Sequence, residues 1–253
     1  MTACGAGSCD HLPRRIIVAG AIAGVLAAVV PRGPLRASDT PTPVSVARGL
    51  SIMPRHAWGA ALPPKQGLVP EPDVRFLLVH HTAGATTYSA SGVPSQIQQI
   101  YRFHTGREKR WADVCYNFFV DRFGGVWEGR AGSISGAVMA DATGGSQGFA
   151  QLVCLLGNFD TSSPGTAMME SSANVLAWLT RRYAIDPDQR KTVTFVSRGS
   201  NKWKAGTSVV ARPISGHRDM SATVCPGRHV YSLLETTLPE RIRHYRGIQS
   251  RST

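Results

Sequence analysis

The chain has 253 residues, of which 42% are hydrophobic and 17% are charged, a composition that excludes an intrinsically disordered protein. The length suits one ordinary domain with a targeting segment or a tail. An excess of Lys and Arg gives a formal net charge of +12, which attracts polyanions but does not select among nucleic acid, anionic lipid and acidic wall polymers.

The first part of the chain has the composition of an export signal. Arg14 and Arg15 precede an apolar run that ends before Pro31, and small residues follow from Ala37. Paired arginines at this boundary suggest twin-arginine export, which carries folded proteins. We therefore expect residues 1–37 to be an export signal. The alternative is an uncleaved membrane anchor, although the apolar run is shorter than the roughly 20 residues that a spanning helix needs.

The remaining chain divides by composition into three parts. Residues 38–50 are rich in Pro, Ser and Thr and are expected to form a linker. Residues 51–246 are expected to form the folded domain, and residues 247–253 are expected to be a disordered tail. We expect a protein that is secreted or associated with the cell wall, and that meets a membrane only through the signal or anchor.

Hydrophobic periodicity predicts strands that alternate with helices. The apolar run that ends at His80 and His81 is typical of a strand buried on both faces. Residues 114–130 predict two strands joined by a hairpin with glycines in its turn. Another strand is predicted within 149–160, and helices are predicted within 94–106, 163–186 and 231–246, the last interrupted at Pro239. The expected fold class is α/β, a single domain with a central mixed β-sheet flanked by helices.

A loop near the end of the domain carries two residues suited to metal binding. The stretch ISGHRDMSATVCPG holds His217 and Cys225 eight residues apart, between a glycine and a Pro–Gly pair. An imidazole nitrogen and a thiolate on one short loop can bind the same zinc ion. His80 or His81 can supply a third ligand, and only one of them can point at the metal because consecutive strand residues face opposite sides. Spacing alone does not say which.

Five motifs occur in order from Arg55 to Tyr231: PRHAWGA, LLVHHTAG, YRFHTGREKRWADVCYNFFVDRFGGVWEGRAG, LLGNFD and ISGHRDMSATVCPG. Together they resemble the peptidoglycan recognition protein family, the zinc-dependent N-acetylmuramoyl-L-alanine amidases of the type-2 fold. The stretch TVTFVSRGSNKWKAGTSVVARPISGHRD resembles a longer connection found in actinobacterial members.

The resemblance implies a function and a set of site residues. It implies that zinc-activated water cleaves the amide bond between N-acetylmuramic acid and L-alanine in peptidoglycan. It assigns Zn²⁺ to His80, His217 and Cys225, and catalytic roles to Tyr116 and Thr223. The residues implied for substrate binding are His81, Thr82, Tyr101, His104 and Arg130, although a core role for Tyr101 is left open because it shares a helix face with Ile97.

Several family positions differ in this chain. Cys115, Val138, Gln147 and Leu152 stand where a glycine, a histidine, an asparagine and a glycine are usual. The resemblance implies that these positions lie along or under the family's muropeptide groove, so the alternative function is a module that binds muropeptides without cleaving them. No motif for reading nucleic acid is apparent, and we expect peptidoglycan, not nucleic acid, as the partner of a monomer.

The chain has five cysteines. Cys4 and Cys9 lie in the expected export signal and Cys225 is an implied metal ligand, which leaves Cys115 and Cys154. Each lies on a predicted strand. Two buried free thiols are the preferred interpretation, and a disulfide between them is the alternative.

Overall fold

The structure is a computed structural model that describes residues 41–144 and 148–251. Its strands are β1 Val44–Ala47, β2 Leu50–Ile52, β3 Phe76–His81, β4 Phe118–Val120, β5 Val126–Glu128, β6 Ala150–Leu155, β7 Val193–Val196, β8 Ser208–Ala211 and β9 Ile214–Gly216. Its α-helices are α1 His56–Gly59, α2 Val93–Thr105, α3 Thr166–Arg182, α4 His217–Met220, α5 Arg228–Glu235 and α6 Leu238–Ser250.

A five-stranded sheet in the order β5-β4-β6-β3-β9 occupies the centre of the domain. Strand β3 runs parallel to both β6 and β9, and β4 runs parallel to β6, whereas the edge strand β5 is antiparallel to β4. The predicted hairpin at β4–β5 is confirmed, and Gly124 in its turn adopts a φ of +89°. The sheet is therefore mixed and flanked by helices, as the sequence predicted.

Strand alternation divides the core between the two faces of the sheet. Leu77 and Val79 of β3 belong to one hydrophobic cluster, which includes the inner faces of α3, α5 and α6. Phe76 and Leu78 belong to a second cluster, which packs against the separate β7–β8 hairpin. A third cluster lies where α1 and α2 cover the sheet. All six residues of β3 are buried, as expected of a central strand covered on both sides.

Both predicted ends of the domain need correction. The expected linker over 38–50 contains strand β1, which pairs with β2, and Leu50 is buried in the first cluster. The expected tail over 247–253 begins inside α6, where Gln249 is only 3% exposed. Both segments are short and polar on average, but each buries one side chain against α3 or the sheet. Composition averages over such single contacts.

The export signal predicted over 1–37 lies outside the described residues, as do Gln147 and the last two residues of the tail. Across residues 41–144 and 148–251, no helix is both long enough and apolar enough to cross a bilayer.

Candidate functional site

Strand β3 delivers one histidine to each face of the sheet. His80 follows Phe76 and Leu78 in the alternation, so it lies on the face covered by α2 and the β7–β8 hairpin. His80 is fully buried. His81 lies on the opposite face, where its Nδ1 accepts a hydrogen bond of 3.1 Å from the backbone N–H of Phe159. The structure therefore decides which member of the pair can join the loop residues.

The loop that follows β9 supplies the other two candidate ligands. Strand β9 pairs with β3 through Val79 and Gly216, so His217 emerges beside the end of β3. The chain then forms the one-turn helix α4 and returns to Cys225, whose carbonyl accepts a 2.9 Å hydrogen bond from the backbone N–H of Arg218. The two ends of the loop are thus joined directly.

His80, His217 and Cys225 bring one ligand atom each into a common space. These atoms all lie within 4.8 Å of one another, and Cys225 Sγ lies 3.6 Å from His80 Nδ1. With Zn–S near 2.3 Å and Zn–N near 2.0–2.1 Å, tetrahedral zinc separates a sulfur and a nitrogen ligand by about 3.6 Å. The distance fits a zinc ion without rearrangement of these two side chains.

The electrostatics of the cluster suit metal ligands. Burial lowers the pKa of His217 to about 4 and holds the pKa of His80 well below its ordinary value, so both imidazoles are neutral near pH 7. Burial also raises the pKa of Cys225 to about 12. The thiol therefore stays protonated unless a cation is present, and a metal ion would favour the thiolate. Within the described residues, His80 Nε2 is buried without a hydrogen-bond partner.

Tyr116 and Thr223 are both near this cluster. The ring centroid of Tyr116 lies 5.1 Å from that of His80, and burial keeps the pKa of its phenol well above the ordinary value. Thr223 is exposed, and its Oγ1 accepts a hydrogen bond of 3.2 Å from the backbone N–H of Cys225. The Thr223 hydroxyl keeps its own proton to donate.

Four of the side chains predicted to bind substrate are buried and hydrogen-bonded inside the protein. His81 contacts Phe159 as described above. The Tyr101 hydroxyl donates to the carbonyl of Pro63 at 2.6 Å, which supports the core role left open for this residue. His104 Nδ1 accepts from the backbone N–H of Cys115, and Arg130 forms an ion pair with Asp141.

These four residues stabilise the fold through internal hydrogen bonds or ion pairs, and their assignment to substrate binding stays a prediction. The exposed fractions of His81, Tyr101, His104 and Arg130 are 4%, 1%, 6% and 4%. Motif matching locates a residue along the chain but does not report its exposure. Thr82 is partly exposed, and its Oγ1 accepts a hydrogen bond of 2.9 Å from the N–H of Gly157, so it stays a candidate.

Sequence reasoning missed two residues that stabilise the loop from His217 to Cys225, which is called the metal loop below. Asp219 accepts a hydrogen bond from the backbone N–H of Gly216 at 2.8 Å and another from the Tyr231 hydroxyl at 2.7 Å. The carboxylate therefore ties α4 to both β9 and α5. The GHRD motif contains Asp219, but its partner Tyr231 lies 12 residues away on another helix and has no local signal.

Cys115 and Cys154 are free and buried, in agreement with the preferred interpretation. Cys115 Sγ lies 3.8 Å from His104 Nε2. Cys154 is the register partner of His80 on β6, so it lies beside the cluster on the same face of the sheet.

Comparison with known proteins identifies the family. A family model described as N-acetylmuramoyl-L-alanine amidase matches residues 70–228. The chain belongs to this amidase family. The matched segment includes His80, His217 and Cys225, together with Tyr116 and Thr223.

Relatives of this amidase domain are peptidoglycan recognition proteins. Peptidoglycan recognition protein 1 of Mus musculus is 28% identical over 196 residues, which cover 77% of this chain and 89% of the relative. Peptidoglycan-recognition protein SC2 of Drosophila melanogaster is 26% identical over 189 residues, covering 74% and 86%.

Solved structures share the fold. Drosophila PGRP-LB aligns with a TM-score of 0.56 at 22% identity, over 73% of this chain and 92% of that chain. Human PGRP-IβC, solved in complex with glycosamyl muramyl pentapeptide, aligns with a TM-score of 0.56 at 22% identity, over 74% and 95%. At this level of identity the likeness supports the fold alone.

Proposed function

We propose that this protein is an exported, zinc-dependent N-acetylmuramoyl-L-alanine amidase that acts on peptidoglycan as a monomer. The observation that carries the proposal is the convergence of His80, His217 and Cys225, two neutral imidazoles and a thiol, on one space in a domain of the amidase family. Such a donor set is what a hydrolytic zinc site requires, whereas hydrogen bonds and packing are enough to bind a muropeptide.

The reaction proposed is hydrolysis of the amide that joins the lactyl group of N-acetylmuramic acid to L-alanine. Addition of water breaks the C–N bond and yields a lactyl carboxylic acid and the free amino group of L-alanine. His80, His217 and Cys225 would hold the zinc ion, which would supply Lewis acidity to activate water and polarise the amide carbonyl. Two imidazoles and one thiolate leave a net positive charge at such a site.

The protein residues around the cluster then act as hydrogen-bond donors. The Tyr116 phenol is protonated near neutral pH, and burial raises its pKa further, so it can donate to the negative charge that develops on the amide oxygen. Thr223 can donate from the solvent side, since its Oγ1 already accepts the N–H of Cys225. The Asp219 carboxylate, which accepts two internal hydrogen bonds, positions α4 and is not assigned as a base.

A zinc and product assay on the full chain tests the proposal. Purified wild-type protein and Cys225→Ala are assayed for zinc content and incubated with peptidoglycan, and mass spectrometry is used to detect stem peptides that begin at L-alanine. We expect one zinc per chain and release of stem peptides by the wild type only. His244→Ala is the matched control, because His244 is exposed on α6 and takes no part in the cluster.

Each alternative outcome has a distinct meaning. If the protein binds zinc stoichiometrically and binds the wall without cleaving it, the function is that of a muropeptide-binding module and not that of an amidase. Absence of zinc from the wild type after incubation with the metal would show that the cluster is not a metal site.

A further inference from the structure

The β7–β8 hairpin contacts the metal loop through four consecutive residues. Ser200 Oγ donates to the carbonyl of Met220 at 2.9 Å, and Lys202 Nζ donates to the carbonyl of Arg218 at 2.7 Å. Trp203 Nε1 donates to the carbonyl of Asp219 at 3.0 Å. All three acceptors lie between the candidate ligands His217 and Cys225.

The fourth residue, Asn201, makes a two-point contact. Its Nδ2 donates to the carbonyl of Ala222 at 3.2 Å, and its Oδ1 accepts from the backbone N–H of Ala222 at 2.9 Å. The side-chain amide therefore pairs with one backbone unit as a neighbouring strand would. Ala222 is followed directly by Thr223 and lies three positions before Cys225, so the contact holds the returning half of the loop.

These contacts satisfy groups that α4 cannot satisfy by itself. A helix leaves its last carbonyls without intrahelical partners, and α4 has only four residues. A single turn is also unstable in isolation, since nucleation fixes several residues for few hydrogen bonds. The hairpin supplies donors to three α4 carbonyls, and one of the donors is the Lys202 ammonium, which suits the negative end of a helix.

The hairpin itself is anchored to the domain core. Phe195 of β7 and Val209 of β8 are buried in the second cluster, which also contains Met220 of α4. Phe195 stacks on Phe76 of β3 with ring centroids 5.5 Å apart. The strand that carries His80 and the loop that carries the other two ligands are therefore connected through the hairpin as well as through β9.

We propose that residues 200–203 form a clamp that positions His217 and Cys225 for metal binding. These are positioning residues, since they contact the backbone of the loop and none of the three ligands. The inference rests on the proposed zinc site, but the clamp is a property of the loop and can be measured without catalysis. Outer-shell groups that bind the ligands directly typically change metal affinity by about 10–100-fold when they are lost, so groups that act through the loop backbone are expected at the lower end of that range.

The test compares Asn201→Ala and Trp203→Phe with the wild type in the full chain. Asn201 is exposed, and phenylalanine keeps an aromatic ring at position 203 while it removes the N–H donor. Lys204→Ala is the matched control, because Lys204 lies in the same loop and its side chain is exposed. Zinc affinity is measured by competition with a chromophoric chelator, and ligand geometry is measured from the absorption spectrum of the cobalt-substituted protein.

We expect a loss of zinc affinity of about tenfold in each clamp variant, a shifted cobalt spectrum, and no change in Lys204→Ala. Hydrogen exchange of the metal-free proteins gives a readout that needs no metal. Amides of 217–225 are expected to exchange at least several-fold faster in the clamp variants, while those of β3 keep their protection. Wild-type affinity and wild-type exchange in both clamp variants would overturn the proposal, as would faster exchange that extends equally through β3.

The two proposals fail in different ways. If the wild type binds zinc but releases no stem peptide, the proposed amidase activity is wrong, and zinc affinity still tests the clamp. If the wild type binds no zinc, the proposed metal site is wrong. Hydrogen exchange of the amides of 217–225 is then the measurement that tests the clamp.

Discussion

At the scale of single residues, Gly227 fixes the path of the backbone directly after the metal loop. Its φ is +85°, and a Cβ placed there would lie 2.3 Å from the backbone carbon of Phe159 and 2.5 Å from the backbone nitrogen of Asp160. Backbone atoms cannot move aside as the end of a flexible side chain can. The Pro–Gly pair after Cys225 is therefore a steric requirement of the fold as well as a turn signal.

We expect Gly227→Ala to lower the free energy of unfolding by about 3 kcal/mol or more, through both the positive φ and the clash. Gly247→Ala is the control, since nothing lies within 4 Å of a Cβ there and alanine is favoured inside a helix by about 0.5–1 kcal/mol. Urea unfolding of the two variants measures the difference. Equal stability of both would contradict the steric account.

Tyr116 provides a test of the proposed chemistry at a single atom. Tyr116→Phe removes only the phenol hydroxyl, and we expect kcat to fall by about 10²-fold with zinc content unchanged. Tyr245→Phe is the control, because Tyr245 packs against the first hydrophobic cluster, on the face of the sheet opposite to the candidate metal ligands. Full activity of the Tyr116→Phe variant would show that the Tyr116 hydroxyl has no role in the reaction.

At the scale of elements, helix α6 holds the N-terminal hairpin through α3. Gln249 Nε2 donates to the Asn174 side chain at 2.8 Å, and Asn174 Nδ2 donates to the carbonyl of Gly49 at 2.8 Å. The two segments that composition assigns to a linker and a tail therefore meet on the same helix. These tertiary contacts, and not the local secondary-structure propensity of the two segments, explain why both segments adopt regular structure.

Truncation tests this link. A chain that ends at Gly247 loses Gln249, and we expect its free energy of unfolding to fall by about 1–3 kcal/mol, because buried polar groups of Asn174 lose their partner. A chain that ends at Arg251 keeps the contact and should match the full chain. Thermal unfolding compares the three, and unchanged stability in the shorter chain would show that the last turn of α6 is dispensable.

At the scale of the whole molecule, burial of histidines makes stability depend on pH. In the metal-free protein, burial lowers the pKa of His104 to about 4 from an ordinary 6.5. The unfolded chain binds this proton near pH 6.5 and the folded protein only near pH 4. The contribution to stability is therefore fully present above about pH 6.5 and is lost as pH falls toward 4.

We expect the metal-free wild type to lose about 3 kcal/mol from His104 between pH 7 and pH 4, and His104→Gln to lose correspondingly less over the same range. His244→Gln, at an exposed position, should follow the wild type. Urea unfolding at several pH values in the presence of a chelator measures the slopes. Parallel slopes for wild type and His104→Gln would show that His104 is not neutral in the folded protein.

Local patterns in the sequence were sufficient to predict much of this protein. The apolar run before His80, the hairpin turn near Gly124 and the helical periodicity of α3 are set by neighbours within a few residues, where strand and helix periods act directly. The ordered motifs led to the amidase family, and the family model confirms that membership. The spacing of His217 and Cys225 pointed to a shared metal ion, and the two residues do converge.

Only the tertiary structure decided the questions that depend on distant contacts. It placed the side chain of His80, and not that of His81, with the loop residues, as the family resemblance implied and spacing alone could not, because different elements cover the two faces of β3. It buried Tyr101, His104 and Arg130, which motif position alone suggested for substrate contact. It also brought residues 200–203 onto the metal loop, a contact between side chains and backbone carbonyls for which the sequence carries no periodic signal, since packing and not local propensity creates it.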